Sequence, residues 1–174
     1  SQMFSGKFIK LWGTEFFDKN GSPQVWEWIE KADAVLVFPI TKQREVVLIK
    51  NFRIPLERYV VEIPSGLRVK PEETPLEVAQ RELLEEAGYE GDHFIQVPLC
   101  PYRAGISNGI MHAFIATDVR KVQEDITGDA TEDITVMEVP LDGLLDLYFH
   151  LPADTFFEPE ILALYQMAQH LKLI

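Results

Sequence analysis

The sequence predicts an α/β fold, with helices packed on the faces of a mixed sheet. Short β-branched runs such as "ADAVLVFPI" and "EVVLIKNF" occupy the middle of the chain, and segments with apolar residues at helical spacing lie between and after them. The chain has 174 residues, 47% hydrophobic and 25% charged, as in ordinary globular proteins. We therefore expect one main domain of residues 32–174 and a small N-terminal β-region of residues 1–31.

The predicted strands lie on both sides of one central helix. Near the start, two strands surround "DKNGSP", whose Asn20-Gly21 pair is a strong hairpin signal. "ADAVLVFPI" and "EVVLIKNF" flank the polar "TKQRE", which predicts an antiparallel pair, and "YVVEIP" predicts a strand that ends at Pro64 and Gly66. After the central helix, further strands are predicted at "HFIQVPLC", "IMHAFIATDV" and "ITVMEVP".

The central helix has well-marked ends. Residues 74–77, "TPLE", fit a capping box with proline at the first helical position, and Gly88 stands where a C-terminal glycine belongs. Its core-facing stripe is predicted from the apolar residues at helical spacing, Leu76, Ala79, Leu83 and Ala87. Two later segments, "LDGLLDLYF" and "PEILALYQMAQHLKLI", are also predicted to be helical.

Composition excludes several classes of protein. The net charge of −12 argues against nucleic acid as a partner, because phosphate binding needs clustered Lys and Arg. No apolar run reaches the roughly 18 to 20 residues that cross a bilayer, and no signal-peptide pattern opens the chain, so we expect no membrane partner and a cytoplasmic location. The single Cys100 leaves no internal disulfide and no cysteine cluster for zinc.

The central helix carries three glutamates on one side. Glu82, Glu85 and Glu86 span an arc of only about 100° on a helical wheel, away from the apolar stripe. Like charges at this spacing cost a few tenths of a kcal/mol per pair unless they are neutralised. One interpretation is a solvated face on which Arg81 pairs with Glu85. The other is a site for a hard divalent cation, since Mg²⁺ and Mn²⁺ prefer oxygen ligands.

The residues around this face favour the cation site. Gly66, Glu73 and "RELLEEAGY" at residues 81–89 resemble the signature of the Nudix hydrolases, G-x5-E-x7-R-E-U-x-E-E-x-G-U, where U is a bulky aliphatic residue. Two departures occur: six residues instead of five separate Gly66 from Glu73, and Tyr89 replaces the final aliphatic residue. Glu72 would keep the glycine spacing but would break the register of the carboxylate face, so Glu73 is preferred.

The resemblance implies a Nudix α/β/α sandwich with a metal site on this helix. Glu82 and Glu86 would be the main Mg²⁺ ligands, with Mn²⁺ as a substitute. Glu85 would hold a further metal or orient water, and the Ser65 carbonyl would supply another oxygen. By the same resemblance, Glu73 and Arg81 would brace the preceding loop against the helix.

A longer stretch, "VVLIKNFRIPLERYVVEIPSG", looks like the corresponding region of ADP-ribose pyrophosphatases and related nucleoside diphosphate sugar hydrolases. By that resemblance Arg53 would contact substrate phosphates and Glu62 would help bind the terminal ribose or sugar. A surface ion pair is the alternative for Arg53. The N-terminal region, similar to one that dimerises and contacts the base, would place Trp26 or Trp28 against a nucleobase. Packing in the core or against a dimer partner is the alternative.

Two segments depart from this subfamily. "YRAGISNGIMHAF" resembles its S-P-G-x-S-x-E segment, but Gly109 stands where the acidic residue is expected. The loop "TGDATEDITVMEVP" resembles the one that carries the catalytic base, and one alignment places Ala130 at that position. Glu132 is therefore the predicted base or metal-water ligand. Asp129 and Asp133 are the alternatives, and a solvated loop charge is equally compatible.

The predicted function is Mg²⁺-dependent hydrolysis of the diphosphate linkage of a nucleoside diphosphate sugar, such as ADP-ribose or a GDP- or UDP-sugar. The products would be a nucleoside monophosphate and a sugar phosphate, and the protein would be a homodimer. One alternative is a Nudix hydrolase of nucleoside triphosphates or other nucleotide diphosphates. An alternative of another class is a nucleotide-sugar sensing module without turnover.

Overall fold

The structure is a computed structural model that describes residues 1–7, 9–126 and 133–174. Within these ranges the helices are α1 (Pro75–Ala87), α2 (Leu144–Phe149) and α3 (Pro159–His170). The strands are β1 (Gln2–Ser5), β2 (Lys10–Phe17), β3 (Pro23–Glu30), β4 (Ala34–Thr41), β5 (Glu45–Arg53), β6 (Arg58–Glu62), β7 (Ser65–Leu67), β8 (Tyr89–Glu90), β9 (His93–Gln96), β10 (Cys100–Pro101), β11 (Ile110–Lys121), β12 (Ile134–Pro140) and β13 (Thr155–Phe157).

The main sheet is mixed, as predicted. Its strand order is β10-β11-β4-β5-β6-β13, and β12, β7, β8 and β9 pair with strands of this path. The pairs β11–β4 and β13–β6 are parallel, whereas β4–β5, β5–β6 and β12–β5 are antiparallel. Both parallel pairs join segments that are distant along the chain. The β13–β6 pair brings the start of α3 next to β6, because α3 begins just after β13.

Both faces of the sheet are covered by helices. Side chains alternate along β4, so Val35 and Val37 pack with the apolar side chains of α1, while Leu36 and Phe38 pack with those of α2 and α3. The buried residues Leu83 of α1 and Ile161 of α3 have no solvent exposure and mark the two cores. This arrangement confirms the predicted α/β/α sandwich.

Helix α1 begins and ends as the sequence predicts. Thr74 Oγ1 accepts the Glu77 N–H at 3.2 Å, Glu77 Oε2 accepts the Thr74 N–H at 2.7 Å, and Gly88 has a left-handed φ of 76°. The predicted core stripe is wrong at Leu76, which is 40% exposed. The buried face is turned instead towards Glu86, which is 3% exposed and whose carboxylate accepts the Ser65 N–H of β7.

The N-terminal strands form a separate three-stranded sheet in the order β1-β2-β3. The predicted hairpin is present, with β2 and β3 paired from Lys10↔Glu30 to Phe17↔Pro23. This sheet contacts the main body where the Ile29 N–H donates to Ile106 O at 2.8 Å and Trp26 Nε1 donates to Gly105 O at 3.0 Å. The division into domains at residue 31 stays a prediction.

Several short elements were not predicted. They are β1, β7, β8 and β13. The strand predicted at "HFIQVPLC" ends at Gln96 as β9, and a separate short strand, β10, begins at Cys100. Among the described residues, no helix is long and apolar enough to span a membrane.

Candidate metal and substrate site

Glu82, Glu85 and Glu86 of α1 line a cavity of about 640 Å³, which we call the carboxylate cavity. Ser65 and Gly66 of β7, which lie against α1, form part of the cavity wall. Arg53, at the end of β5, also lines it. The structure therefore brings five of the predicted site residues together, Arg53, Ser65, Glu82, Glu85 and Glu86.

Strand β7 lies directly against α1. The Ser65 N–H donates to Glu86 Oε2 at 2.7 Å, which fixes one end of this contact. At the other end, a Cβ added to Gly66 would overlap the Glu82 carboxylate. The absence of a side chain at residue 66 is therefore what allows Glu82 to lie against the β7 backbone.

Arg81 connects the loop before α1 to the carboxylates. Its Nε donates to Glu73 Oε1 at 3.0 Å, and its Nη1 donates to Glu82 Oε1 at 2.7 Å and to Glu85 Oε2 at 3.0 Å. The hydrogen bond from Arg81 holds the pKa of the Glu73 carboxyl below its usual value. The i,i+4 pair and the loop contact expected from the sequence are thus both present, and Arg81 offsets part of the repulsion on the carboxylate face.

The donor set fits a hard divalent cation. Three carboxylates and a β7 backbone segment meet at one cavity, and oxygen is the ligand that Mg²⁺ and Mn²⁺ prefer. The Glu82 carboxylate occupies the space that any side chain at residue 66 would fill. The glycine at residue 66 therefore leaves this space to the carboxylate. Within the described ranges, no three His, Cys, Asp or Glu side chains already converge on a point suited to a metal. Arg81 Nη1 lies between Glu82 and Glu85 in this structure.

Arg53 is oriented by a buried carboxylate. Its Nε donates to Glu62 Oε1 at 2.6 Å and its Nη2 donates to Glu62 Oε2 at 2.5 Å, a bidentate pair. The Glu62 side chain is 2% exposed, whereas that of Arg53 is 39% exposed. Hydrogen bonding to Glu62 raises the pKa of the Arg53 guanidinium above its ordinary value. Both carboxylate oxygens of Glu62 accept hydrogen bonds from Arg53. The geometry therefore favours a role in which Glu62 orients Arg53 and does not itself contact a substrate.

Glu158 is a residue of this site that sequence reasoning missed. It precedes Pro159 at the N-terminal cap of α3, and its N–H donates to Val61 O at 3.0 Å. Burial, with Glu62 as the next cause, raises the pKa of the Glu158 carboxyl to about 7. Glu158 lines the carboxylate cavity together with Arg53. The one local signal was a glutamate at a cap, a position where Ser, Thr, Asp or Asn is usual.

The two predicted tryptophans, Trp26 and Trp28, lie on β3. The Trp28 ring stacks on Trp12 at a centroid distance of 5.9 Å, and its Nε1 donates to Thr14 Oγ1. Trp26 is 54% exposed, and its Nε1 donates to Gly105 O. Neither lines the carboxylate cavity in the described part of the chain. Their contact with a base stays a prediction.

The predicted base, Glu132, lies outside the described residues, as do Asp129 and Ala130. Asp133 is described: it is exposed and accepts the Tyr59 hydroxyl at 3.0 Å. At Gly109, a Cβ would lie 3.1 Å from Lys31 Cβ, so this position favours a small residue over the acidic one expected there.

Comparison with known proteins agrees with this geometry. The model of the NUDIX domain family matches residues 30–162. An ADP-ribose pyrophosphatase of Bacillus subtilis (strain 168) is 36% identical over 84% of this chain and 78% of its own length. A methanol dehydrogenase activator of Bacillus methanolicus is 32% identical over 83% of this chain and 77% of its own.

A solved structure shows the same fold. The crystal structure of an ADP compounds hydrolase superposes with a TM-score of 0.80, covering 98% of this chain and 90% of that one at 21% identity. The resemblance predicted from the glutamate motif of α1 is confirmed by the family match, which spans that motif. On its sequence, its fold and the match over residues 30–162, the chain belongs to the NUDIX domain family of hydrolases.

Proposed function

We propose that this protein hydrolyses the diphosphate linkage of nucleoside diphosphate sugars, with ADP-ribose as the first candidate and GDP- and UDP-sugars as the others. The products are a nucleoside monophosphate and a sugar phosphate. The observation that carries the proposal is the meeting of Glu82, Glu85 and Glu86 with Arg53 at one cavity. The relative that is 36% identical is named for ADP-ribose hydrolysis, which supports the choice of substrate.

The proposed cofactor is Mg²⁺, for which Mn²⁺ can substitute. Glu82 and Glu86 would hold it, with Glu85 and the Ser65 carbonyl as further oxygen donors. When bound, such a cation lowers the pKa of a water molecule and neutralises charge that develops on the phosphates.

The chain's own residues bind and orient the substrate. Arg53 presents a guanidinium fork to phosphate oxygens, and the buried Glu62 keeps that fork aimed at the cavity. Glu85, with a side chain 42% exposed, is placed to accept a hydrogen bond from water. Glu132 is the proposed base that takes the proton of the attacking water, with Asp129 and Asp133 as alternatives.

We propose that the protein is a homodimer formed through the N-terminal sheet. Its proposed location is the cytoplasm. In a single chain, that sheet leaves large apolar side chains exposed to water, and a dimer interface would cover them. Their exposed fractions are 51% for Met3, 58% for Phe4, 75% for Phe17, 57% for Val25 and 54% for Trp26. Light scattering of the purified protein should give the mass of two chains. A monomer at micromolar concentration would contradict this part of the proposal.

A substrate panel with Mg²⁺ tests the activity. We expect ADP-ribose, or a GDP- or UDP-sugar, to yield a nucleoside monophosphate and a sugar phosphate in equal amounts. Faster hydrolysis of nucleoside triphosphates would favour the triphosphatase alternative. Because one relative is named as an activator, binding is measured by calorimetry in parallel. Tight binding of a nucleotide sugar without hydrolysis would favour a sensing module and contradict the proposal.

A further inference from the structure

Tyr89 lies two residues after the end of α1, at the position where the glutamate motif carries an aliphatic residue. Its side chain is 2% exposed and belongs to the same apolar cluster as Ala87 and Val119. An aliphatic side chain could also pack in this core. The tyrosine, however, carries a hydroxyl that donates a hydrogen bond to Glu138 Oε1 of β12. The departure from the motif therefore adds a polar contact between the end of α1 and β12.

The Tyr89 hydroxyl is held in its protonated form, which donates. Burial, with the hydrogen bond to Glu138 as the next cause, raises the pKa of the Tyr89 hydroxyl. Glu138 is exposed, and both residues line a cavity of about 430 Å³. Water can therefore hydrate the Glu138 carboxylate when the hydroxyl is removed, so the loss of this hydrogen bond leaves no buried carboxylate without a partner.

Other contacts attach the same end of α1 to the residues that follow β11. Gly88 O accepts the N–H groups of Val122 at 2.9 Å and Gln123 at 3.2 Å. A Cβ at Gly88 would lie 2.4 Å from Gln123 O, so the two backbone segments are closely packed. The hydrogen bond from Tyr89 to Glu138 adds β12 to these attachments. The end of α1 is thus held by two different parts of the sheet.

The last turn of α1 carries two of the predicted metal ligands, Glu85 and Glu86. Glu86 precedes Tyr89 by three residues and Glu85 precedes it by four, which corresponds to about 4.5 and 6 Å along a helix axis. Because a helix moves as a unit over one turn, a shift of its end also moves these side chains. Glu86 Oε2 accepts the Ser65 N–H at 2.7 Å, so such a shift changes how its carboxylate meets β7.

We propose that Tyr89 and Glu138 are positioning residues of the metal site. Their hydrogen bond fixes the last turn of α1, which carries Glu85 and Glu86, relative to β12. This inference rests on the proposed function, since it takes the α1 carboxylates as the ligands of the cation. In the described part of the chain, Tyr89 and Glu138 do not line the carboxylate cavity, so they act through the helix and not by contact with the cation.

The test measures Mn²⁺ binding without substrate, from the loss of the electron paramagnetic resonance signal of free Mn²⁺. Removing a direct partner of a metal ligand typically weakens binding by about 10- to 100-fold, and we expect a smaller loss, about 3- to 10-fold, for Tyr89→Phe. Glu138→Ala should match it, and the double variant should bind no more weakly than either single variant. Glu138→Gln can still accept the hydroxyl and should bind Mn²⁺ like wild type.

Thr74→Ala is the matched control, because it removes a hydrogen bond at the opposite end of α1. It should lower stability and leave the affinity for Mn²⁺ unchanged. Glu138→Ala, at an exposed position, carries the test if Tyr89→Phe does not fold.

Four results would overturn the inference. They are no Mn²⁺ binding to the wild type, wild-type affinity in both Tyr89→Phe and Glu138→Ala, an equal loss of affinity in Thr74→Ala, and single losses that add in the double variant. Mn²⁺ binding needs no turnover, so the two proposals can fail separately. Tyr89-dependent Mn²⁺ binding without nucleotide-sugar hydrolysis would contradict the proposed function and leave the positioning role standing.

Discussion

Replacing Gly66 by alanine would place a methyl group where the Glu82 carboxylate now lies. The added Cβ overlaps Oε1, Cδ and Cγ of Glu82, so the side chain must rotate to another position. All three overlapped atoms belong to one flexible side chain, so we expect rotation of Glu82 to relieve the clash with little movement of α1 or β7. The substitution thus separates the position of one predicted ligand from the rest of the fold.

The expected cost to stability is small and the expected cost to metal binding is large. Moving Glu82 loses its 2.7 Å pair with Arg81, worth up to about 1 kcal/mol, and an unfavourable rotamer adds about 1 kcal/mol. For a chain of this size, each kcal/mol lowers the melting temperature by roughly 2–4 °C. Mutating an outer-shell partner of a metal ligand typically weakens metal binding by about 10- to 100-fold, so displacing a ligand itself should weaken Mg²⁺ binding at least as much.

The assay is the Mg²⁺ dependence of ADP-ribose hydrolysis, with thermal unfolding measured in EDTA. Gly105→Ala is the control, because a Cβ there meets nothing within 4 Å. We expect Gly66→Ala to need far more Mg²⁺ for half-maximal rate, while Gly105→Ala behaves as wild type. A wild-type activation curve for Gly66→Ala would refute the assignment of Glu82 to the metal.

Three further predictions concern single contacts. Burial raises the pKa of Glu158 from 4.5 to about 7, so between these pH values the folded protein binds more protons than the unfolded chain and loses stability as the pH rises. Glu158→Gln should therefore be more stable than wild type at pH 8 by up to ~3 kcal/mol, and by less at pH 5.5. Urea unfolding without metal at the two pH values checks this. Glu62→Gln should raise KM for ADP-ribose roughly 10-fold and change kcat less, because Arg53 loses its charged partner; unchanged steady-state constants would contradict that role. Thr74→Ala removes the cap of α1 and should cost about 1 kcal/mol in urea unfolding, and a cost near zero would show that the cap contributes nothing.

The sequence predicted best what depends on neighbouring residues. The capping box at Thr74 and the left-handed Gly88 are local features of the chain, and both occur as predicted. The spacing of Glu82, Glu85 and Glu86 likewise placed all three at one cavity. Each of these predictions needed only the geometry of a single helix.

What the sequence could not predict depends on distant pairing. Strand β7 has three residues and exists because it pairs with β4, and β13 exists because it lies parallel to β6. That second pairing places Glu158 at the same cavity as Arg53, and the unusual glutamate at the α3 cap did not indicate this proximity. The burial of Glu86 had the same origin, since its partner is the Ser65 N–H of β7. The role of Glu132 stays a prediction, because it lies outside the described residues.

The central claim is that the α1 carboxylates hold the metal that drives hydrolysis, and Glu86→Gln tests it most directly. The side chain keeps its size and can still accept the Ser65 N–H, so the fold should be retained. Glu72→Gln, an exposed position near the same helix, is the matched control for the lost charge. At saturating ADP-ribose and varied Mg²⁺, we expect Glu86→Gln to lose on the order of 100-fold in rate while Glu72→Gln stays at wild type. Equal rates for Glu86→Gln and wild type would contradict the account.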